Sequence, residues 1–151
     1  MRILVDRCDE ALLQRPWHLN NGYARGTRKV KGMLVDEYLH RVILNAPKGK
    51  YVDHINGNRL DNRRSNLRIV SAIGNGQNRP SAARSNSGYR GVCWIERRKQ
   101  WEAYAFVNYK RAFHRYCATL AEAVRAVHEW RLAHMPAYVP DAKTLALLEK
   151  S

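Results

Sequence analysis

The chain has 151 residues, a length that suits one ordinary domain or two very small ones and is too short for large allosteric machinery. Hydrophobic residues make up 45%, which is enough for a folded core. Lys and Arg number 27 against 13 Asp and Glu, so the formal net charge is +14 at pH 7. This surplus predicts a polyanionic partner. No apolar run reaches the roughly 20 residues that a bilayer crossing needs, and no apolar signal core follows Met1. We therefore expect a cytoplasmic protein that does not contact membranes.

Cysteine placement limits the metal chemistry. Cys8, Cys93 and Cys117 lie far apart and form no C-x-x-C pair. This spacing argues against a disulfide framework and against a zinc site built from cysteines. A metal bound here would have oxygen or imidazole ligands.

The first third of the chain predicts a small β-structure followed by a short helix. Asn21 and Gly22 stand between apolar residues, which is the pattern of a tight β-hairpin. A further strand is expected over residues 30–35. Asp36 then fits the N-cap of a helix, and Pro47 would end that helix because proline lacks the backbone N–H.

A strand, a polar loop, a second strand and a helix are expected next. The strands cover residues 51–55 and 67–70, and the Asn-rich residues 56–66 form the loop between them. Ser71 fits the N-cap of the helix, which would run to about residue 78. A unit of this size cannot bury a core alone, so we expect support from the preceding segment or from a metal.

The last part of the chain predicts a linker, a small sheet and a helix. Residues 78–88 are rich in serine and arginine without apolar periodicity, which is typical of a flexible linker. Thr119 and Glu122 form a capping box that opens a helix, and its apolar face would pack on the sheet. A last weak helix is expected around residues 145–148. The strand-like runs predict a three-stranded antiparallel meander over residues 89–95, 101–107 and 111–116.

The predicted fold class is therefore α+β, with two modules. We place the first module at residues 1–79, the linker at 80–88, the second module at 89–140 and a C-terminal tail at 141–151. Residues 1–80 carry 15 basic and 7 acidic side chains, and residues 81–151 carry 12 and 6. Both modules are therefore expected to contact the polyanion.

The cluster that indicates chemistry is Asp53 and His54, followed by Asn66 twelve residues after the histidine and by Asn75 nine residues later. Carboxylate and carboxamide oxygens are hard ligands that suit Mg²⁺ or Mn²⁺. An imidazole near its ordinary pKa of about 6.5 is largely neutral at pH 7 and can accept a proton. These are the groups of a phosphodiester hydrolase, in which a metal polarises the phosphate and the histidine deprotonates a water.

The segment LHRVILNAPKGKYVDHINGNRLDNRRSNLRIVSAIGNGQNR, residues 39–79, resembles the HNH endonucleases of the phage and group I intron homing type. The resemblance implies a ββα-metal (His-Me finger) unit for the strand, loop, strand and helix above. It also implies metal ligation by Asp53 and Asn75, a general base at His54 and a bracing role for Asn66. One divalent cation, Mg²⁺ or Mn²⁺, would then support hydrolysis to 5′-phosphate and 3′-hydroxyl ends. The third letter of the motif is Asn75 where other branches use histidine, so a second histidine ligand is not expected.

Adjacent residues of a regular strand point to opposite faces, so Asp53 and His54 can share one site only if the chain leaves strand geometry there. We expect the turn-rich residues 56–58 to allow this. His40 lies in the LHR part of the resemblance, and we expect it to have a structural role rather than a catalytic one. The remaining histidines show no ligand spacing and are expected to be structural or solvated: His18, His114, His128 and His134.

Residues 87–130 resemble the APETALA-type ethylene-response-factor DNA-binding domain. The resemblance implies a three-stranded sheet that packs on one helix and lies in the DNA major groove. Cys93 replaces an arginine of the plant members, so their base specificity does not carry over. The alternative to DNA contact is that Trp94 and Trp101 are core residues and that residues 97–99 form a solvated turn. By position the resemblance implies DNA contacts from Arg90, Trp94, Arg97, Arg98, Lys99 and Trp101.

The sequence as a whole predicts a metal-dependent HNH DNA endonuclease whose second module delivers it to double-stranded DNA, in the bacterial host cytoplasm if the chain is phage-encoded. One active site per chain predicts nicking by a monomer, and a double-strand break would require a dimer. Two alternatives stay open: a non-catalytic DNA-binding regulator that retains the nuclease fold, and a protein that binds or cleaves RNA. Four arginines near the predicted site are expected to hold the DNA backbone: Arg59, Arg63, Arg64 and Arg68.

Overall fold

The computed structural model describes residues 2–78 and 86–150, so the predicted linker lies largely outside the described residues. The chain divides into two compact units, Met1–Asn75 and Gly76–Ser151, each with its own cluster of buried apolar residues. Helices accompany three antiparallel sheets in the described ranges, which makes the architecture α+β. None of the helices in these ranges has both the length and the apolar character of a membrane crossing. The predicted module bounds stay predictions.

The N-terminal unit begins with a 3₁₀ helix, Arg7–Gln14, and continues into a three-stranded sheet. The predicted hairpin is confirmed, because Asn21 and Gly22 turn the chain between the first two strands with φ values of 48° and 82°. The strands pair in the order β1 (His18–Asn20), β2 (Tyr23–Val30) and β3 (Met33–Tyr38).

Two predictions for this sheet are wrong. No single strand covers residues 30–35, because Lys31 and Gly32 adopt φ values of 48° and 85° and form the turn between β2 and β3. Asp36 does not cap a helix but lies in β3, where its carboxylate accepts a hydrogen bond from Arg25 of β2. Pairing with the neighbouring strand therefore outweighs the local capping preference of the aspartate.

The predicted strand, loop, strand and helix are present. β4 (Tyr51–His54) pairs antiparallel with β5 (Leu67–Val70), and α2 (Ala72–Gln77) follows. The Ser71 hydroxyl accepts a hydrogen bond from the Gly74 N–H at 3.1 Å, which confirms the predicted cap of α2. A short helix, α1 (Leu39–Ile43), precedes β4 and begins after Tyr38 without a side-chain cap.

The segment before β4 supports this small unit, as expected. It supplies Ala24 from β2 and two apolar side chains from α1. The Leu4 N–H donates to the Leu60 oxygen at 2.9 Å, and the Asn62 N–H donates to the Leu4 oxygen at 2.7 Å, so the loop between β4 and β5 is held by the N-terminal segment. In the described chain the buried apolar residues of this cluster are Ala24, Leu39, Ile43, Val52 and Leu67.

The C-terminal unit is a three-stranded antiparallel sheet that packs on a helix, in agreement with the predicted meander. The predicted capping box is confirmed: Thr119 Oγ1 accepts from the Glu122 N–H at 3.2 Å, and the Glu122 carboxylate accepts from the Thr119 N–H at 3.3 Å. Residues of the sheet and of the first helix share one buried cluster. The elements are β6 (Val92–Ile95), β7 (Gln100–Val107), β8 (Lys110–Cys117), α3 (Leu120–His134) and α4 (Ala142–Leu148).

Gly91 is expected to be a strong packing constraint in the C-terminal unit. Its φ is +74°, and a Cβ there would overlap the backbone oxygen of Tyr104 and the guanidinium of Arg131. We expect Gly91→Ala to lower the free energy of unfolding by about 3 kcal/mol or more, measured by urea denaturation. Gly32→Ala is the control, since Gly32 also has a positive φ (+85°) but no described atom within 4 Å of the added Cβ; it should cost about 1 kcal/mol. Equal losses for the two variants would contradict the steric explanation.

Candidate active site

His54 is the last residue of β4 and is only 5% exposed. Its Nε2 atom lies 3.4 Å from Oδ1 of Asn62, a residue with no exposed surface. With Oδ1 of Asn62 in this position, Nε2–H of the neutral ring donates to the amide oxygen, and Nδ2 of Asn62 is buried without a hydrogen-bond partner in the described part of the chain.

The environment of His54 favours the uncharged ring. Burial lowers the pKa of His54 below its ordinary value of 6.5. The hydrogen bond with Asn62 and the charges of Asp53 and Asp61 act in the opposite direction, whereas the charge of Arg59 adds to the lowering. The ring is therefore uncharged at neutral pH, which is the state in which a histidine accepts a proton.

Asn66 braces the loop between β4 and β5. Its side chain is buried, its Oδ1 accepts a hydrogen bond from the Asn56 N–H at 2.9 Å, and its Nδ2 donates to the backbone oxygen of Asp61 at 2.8 Å. These bonds connect the turn after His54 to the far side of the loop. The geometry is that of a bracing asparagine, and the effect of Asn66 on catalysis stays a prediction.

Asp61 and Asn62 form a buried polar pair that the sequence pattern did not indicate. The Asp61 carboxylate is 2% exposed and accepts hydrogen bonds from Asn56 Nδ2 at 2.9 Å and from Arg63 Nε and Nη2 at 2.8 and 2.7 Å. The Arg63 guanidinium lowers the pKa of Asp61 to about 2. Polar residues in a loop are ordinarily solvated, so the loop pattern alone did not indicate burial. Arg63, two positions after Asp61, was the signal that could have indicated this ion pair.

Asp53 directly precedes His54 but has different partners. It faces Arg68 across the β4–β5 ladder, and its Oδ2 accepts hydrogen bonds from Arg68 Nε at 2.9 Å and Nη2 at 2.7 Å. The expected break in strand geometry is absent, because β4 continues through His54 and the turn begins at Ile55. The ladder stays regular to its end, with His54 opposite Leu67. Arg68, which was predicted to contact DNA, holds a predicted metal ligand.

A cleft of about 290 Å³ lies next to His54 in the N-terminal unit. Two lining residues contact the His54 ring: the centroid of His40 is 5.1 Å from it, and that of Tyr23 is 5.9 Å from it. Asn75, the predicted second metal ligand, is half-buried in α2 and lines the same cleft. Of the described residues, His54 and Asp53 do not line this cleft, so His54 is connected to it through the rings of Tyr23 and His40. The lining residues are Asn21, Tyr23, Tyr38, His40, Arg41, Tyr51, Val52 and Asn75.

The oxygen donors of Asp53 and Asn75 fit Mg²⁺ or Mn²⁺. Mg²⁺ commonly takes one or two oxygens from the protein and keeps several waters, so a carboxylate and an amide are sufficient. Residues 2–78 and 86–150 contain no group of three His, Cys, Asp or Glu side chains that could hold a metal ion, which is the pattern of a zinc site. A cation held by Asp53 would have to share the carboxylate with Arg68.

Three more predicted DNA-contacting arginines belong to the loop between β4 and β5, and each contacts another side chain. Arg59 lies over the Tyr23 ring, 4.7 Å from its centroid. Arg63 donates to the buried carboxylate described above, and Arg64 donates to both carboxylate oxygens of Asp9 at 2.8 Å. The side chains of Arg63 and Arg64 remain 50% exposed. Contact of these arginines with DNA stays a prediction.

The first predicted DNA-contacting residues of the C-terminal unit have partners within that unit. Arg90 donates to the backbone oxygens of Gly76 and Gln77 at 3.0 Å. Trp94 and Trp101 are cross-strand partners with ring centroids 5.2 Å apart, and Trp101 packs against the buried cluster. This placement favours the packing alternative for Trp101, and DNA contact by either tryptophan stays a prediction.

The predicted basic turn is exposed. Arg97, Arg98 and Lys99 lie between β6 and β7. The Arg98 guanidinium lies 4.5 Å from the centroid of the Tyr116 ring, and Lys99 pairs with Glu96. Arg98 is therefore positioned beside an aromatic ring of β8.

The sheet face opposite α3, named the open face, carries aromatic and basic side chains that the sequence analysis did not single out. Strand alternation could have indicated them, because Ala103 and Ala105 of β7 pack in the core and their neighbours point the other way. Buried Glu102 accepts a hydrogen bond from Arg111 at 2.8 Å and lies 2.9 Å from Nε2 of His114. The open face comprises Tyr104, Phe106, Arg111, His114 and Tyr116.

Residues 37–77 match the family model described as HNH endonuclease. The matched segment holds α1, β4, β5 and α2, and with them every residue of the predicted active site. The match supports the HNH part of the resemblance and indicates a nuclease. The resemblance of the C-terminal unit to the ethylene-response-factor domain stays an expectation.

The chain is also similar to a phage protein. Protein 3.8 of Escherichia phage T7 is 38% identical over 55 residues. The aligned segment covers 36% of this chain and 46% of the phage protein, so the match spans about half the length of that relative. No solved structure matches the chain.

Asp61 is expected to make stability depend on pH. Its folded pKa of about 2 lies below the ordinary value of 3.8, so its stabilisation is complete above the ordinary value and is lost as the pH falls through the folded pKa. We expect Asp61→Asn to be less stable than the wild type at neutral pH and to lose less free energy of unfolding between about pH 5 and pH 2, measured by urea denaturation.

Asp36→Asn is the control for this measurement. The Asp36 side chain is 53% exposed and its ion pair is correspondingly weak. This variant should keep the acid dependence of the wild type. The explanation fails if Asp61→Asn keeps it as well.

Proposed function

We propose that the chain is a divalent-metal-dependent DNA endonuclease of the HNH homing type, which hydrolyses one strand of double-stranded DNA to 5′-phosphate and 3′-hydroxyl ends. The observation that carries the proposal is His54, a buried imidazole whose Nε2 lies 3.4 Å from the Asn62 amide oxygen, within the segment that matches HNH endonucleases. A histidine with one ring nitrogen fixed by an amide has the arrangement of a general base.

His54 would act on the attacking water. The contact with Asn62 orients the ring, and the ring acts as the base that accepts the proton of the water. Burial keeps the ring uncharged before this step. The positive charge that then forms on the ring is stabilised by Asp53 and Asp61, whose charges raise the pKa of His54.

Asp53 and Asn75 would hold the divalent cation, Mg²⁺ or Mn²⁺. Because β4 stays regular through His54, Asp53 and His54 point to opposite faces here, so a shared site requires the chain to leave strand geometry at these two residues when the cation and DNA bind. The bound cation supplies charge stabilisation at the scissile phosphate and at the leaving oxygen. Arg68 holds the Asp53 carboxylate in the β4–β5 ladder through two hydrogen bonds. Asn66 keeps the loop after His54 in one shape.

Double-stranded DNA is the substrate that the charge and the HNH endonuclease match support together. The net charge of +14 favours a polyanion, and the half-exposed Arg63 and Arg64 lie in the loop that follows His54. Basic and aromatic side chains on the open face suit phosphates and bases, so the C-terminal unit would bind the duplex and deliver the nuclease. One active site per chain cuts one strand, and a double-strand break requires a dimer.

A second candidate function is a non-catalytic DNA-binding regulator that retains the nuclease fold. The ion pair between Asp53 and Arg68 favours it, because this pair engages the carboxylate that the metal needs. The buried and oriented His54 favours the enzyme. Cleavage itself separates the two candidates.

Nicking of supercoiled plasmid is the direct test of the proposed function. Wild-type protein with Mg²⁺ should convert the plasmid to the open-circle form, and EDTA should prevent this. His54→Ala should lower the nicking rate by about 10²- to 10⁴-fold, the usual contribution of a general base. His18→Ala replaces an exposed histidine of β1 and should nick at the wild-type rate. Absence of Mg²⁺-dependent nicking by the wild type on phage, bacterial and plasmid DNA would favour the regulator.

Arg98 tests the proposed contact of the C-terminal unit with DNA. Arg98→Gln should weaken duplex binding in EDTA and reduce the slope of log affinity against log salt concentration by about 1, measured by fluorescence anisotropy. Arg125→Gln removes the same charge from an exposed position of α3 and should leave the slope unchanged. Equal slopes for the two variants would contradict the contact. Stronger competition by structured RNA than by duplex DNA would contradict the assigned substrate.

A further inference from the structure

His40 is a second histidine at the cleft, in contact with the proposed general base. It lies in α1, is 7% exposed, and lines the cleft together with Asn75. Its ring centroid is 5.1 Å from that of His54. Tyr23 and Tyr38 pack against the same ring with centroids 5.2 and 5.6 Å away. Aromatic contacts therefore fix the position of the His40 ring beside His54.

The two ring nitrogens of His40 have different surroundings. Nδ1 is buried and has no hydrogen-bond partner within the described part of the chain. Nε2 is not among the buried unpartnered atoms, and no described group hydrogen-bonds to it, so Nε2 is the nitrogen that reaches the cleft. Buried N–H groups without an acceptor are rarer in proteins than buried acceptors without a donor, which places the proton of the uncharged ring on Nε2.

A fixed N–H donor beside a general base suits an anionic oxygen of the substrate. An uncharged imidazole can bind such an oxygen without adding a positive charge next to His54, where that charge would oppose protonation of the base. Arg41 also lines the cleft, but its guanidinium already donates to the backbone oxygens of Ala46, Pro47 and Lys50. Nε2 of His40 has no competing hydrogen bond within the described residues, so it can donate to a phosphate in this cleft.

We propose that His40 is a further catalytic residue, whose Nε2–H donates a hydrogen bond to a non-bridging oxygen of the scissile phosphodiester. The proposal rests on the endonuclease function proposed for the same site, and it goes beyond the structural role expected from the sequence. The hydrogen bond holds the phosphate next to His54, so that the water deprotonated by His54 is aligned with its target.

Two substitutions separate hydrogen-bond donation from packing. His40→Phe keeps an aromatic ring and removes the donor, whereas His40→Gln keeps an amide N–H near the position of Nε2 and removes the ring. We expect His40→Phe to lower kcat/KM for plasmid nicking by about 10- to 100-fold, as for loss of one hydrogen bond to a charged group. His40→Gln should retain most of the wild-type value. The opposite order, with His40→Gln impaired and His40→Phe near wild type, overturns the proposal.

A second measurement depends neither on cleavage nor on the folding of variants. Imidazole ¹⁵N NMR of the wild-type protein in EDTA should show the Nε2–H tautomer of His40, and its Nε2 resonance should shift when duplex DNA is added. An Nδ1–H tautomer overturns the proposal. An Nε2 resonance that is unchanged at saturation with duplex overturns it as well.

Two control variants, His54→Ala and His18→Phe, separate a failure of the role proposed for His40 from a failure of the proposed endonuclease function. If the wild type nicks DNA, His54→Ala does not, and His40→Phe nicks as fast as His18→Phe, the role of His40 is refuted and the endonuclease stands. If the wild type nicks no DNA at all, the endonuclease is refuted and the role of His40 falls with it.

Discussion

The hydrogen bond between His54 and Asn62 is the interaction on which the rest of the site depends. Both residues are buried, so neither can exchange its partner for water while the loop keeps its shape. Asn62 determines which ring nitrogen carries the proton, and burial keeps the ring uncharged. The contact thus orients the ring of the proposed general base, and burial, against the effect of this contact, lowers the pKa of the ring.

This contact exists because polar groups, rather than a large apolar core, hold the loop between β4 and β5. Asn66 bonds to backbone groups on both sides of the loop, and Arg63 neutralises the buried carboxylate of Asp61. Leu4 adds two backbone hydrogen bonds from the N-terminal segment, one of them to Asn62 itself. Buried polar groups stabilise a loop only when partners satisfy them, and the partners named here come from the loop itself and from the N-terminal segment. Nδ2 of Asn62 is the exception among the described residues of the loop, because it is buried without a hydrogen-bond partner. The loop is therefore rigid enough to position a catalytic side chain.

Local patterns predicted the elements that carry the site, because turns and caps are determined by a few neighbouring residues. The strand, loop, strand and helix and the cap at Ser71 are examples. Residues 30–36 were predicted wrongly, since their turn and ion pairs depend on the neighbouring strand. The burial of Asp61 and Asn62 was missed because tertiary partners, which the sequence does not show, decide whether a polar side chain is buried. Likewise, the ion pair between Arg68 and the predicted metal ligand Asp53 was not predicted, because it depends on the register of β4 against β5.

The position of a bound Mn²⁺ ion tests most directly whether these residues form one active site. The measurement is anomalous scattering from crystals of the His54→Ala protein with uncleaved duplex DNA and Mn²⁺. We predict one Mn²⁺ peak within about 2.5 Å of oxygens from both Asp53 and Asn75, with a DNA phosphate beside it. A Mn²⁺ peak away from both residues, or an ion-free Asp53 still held by Arg68 in a fully occupied DNA complex, would contradict a hydrolytic site at this position.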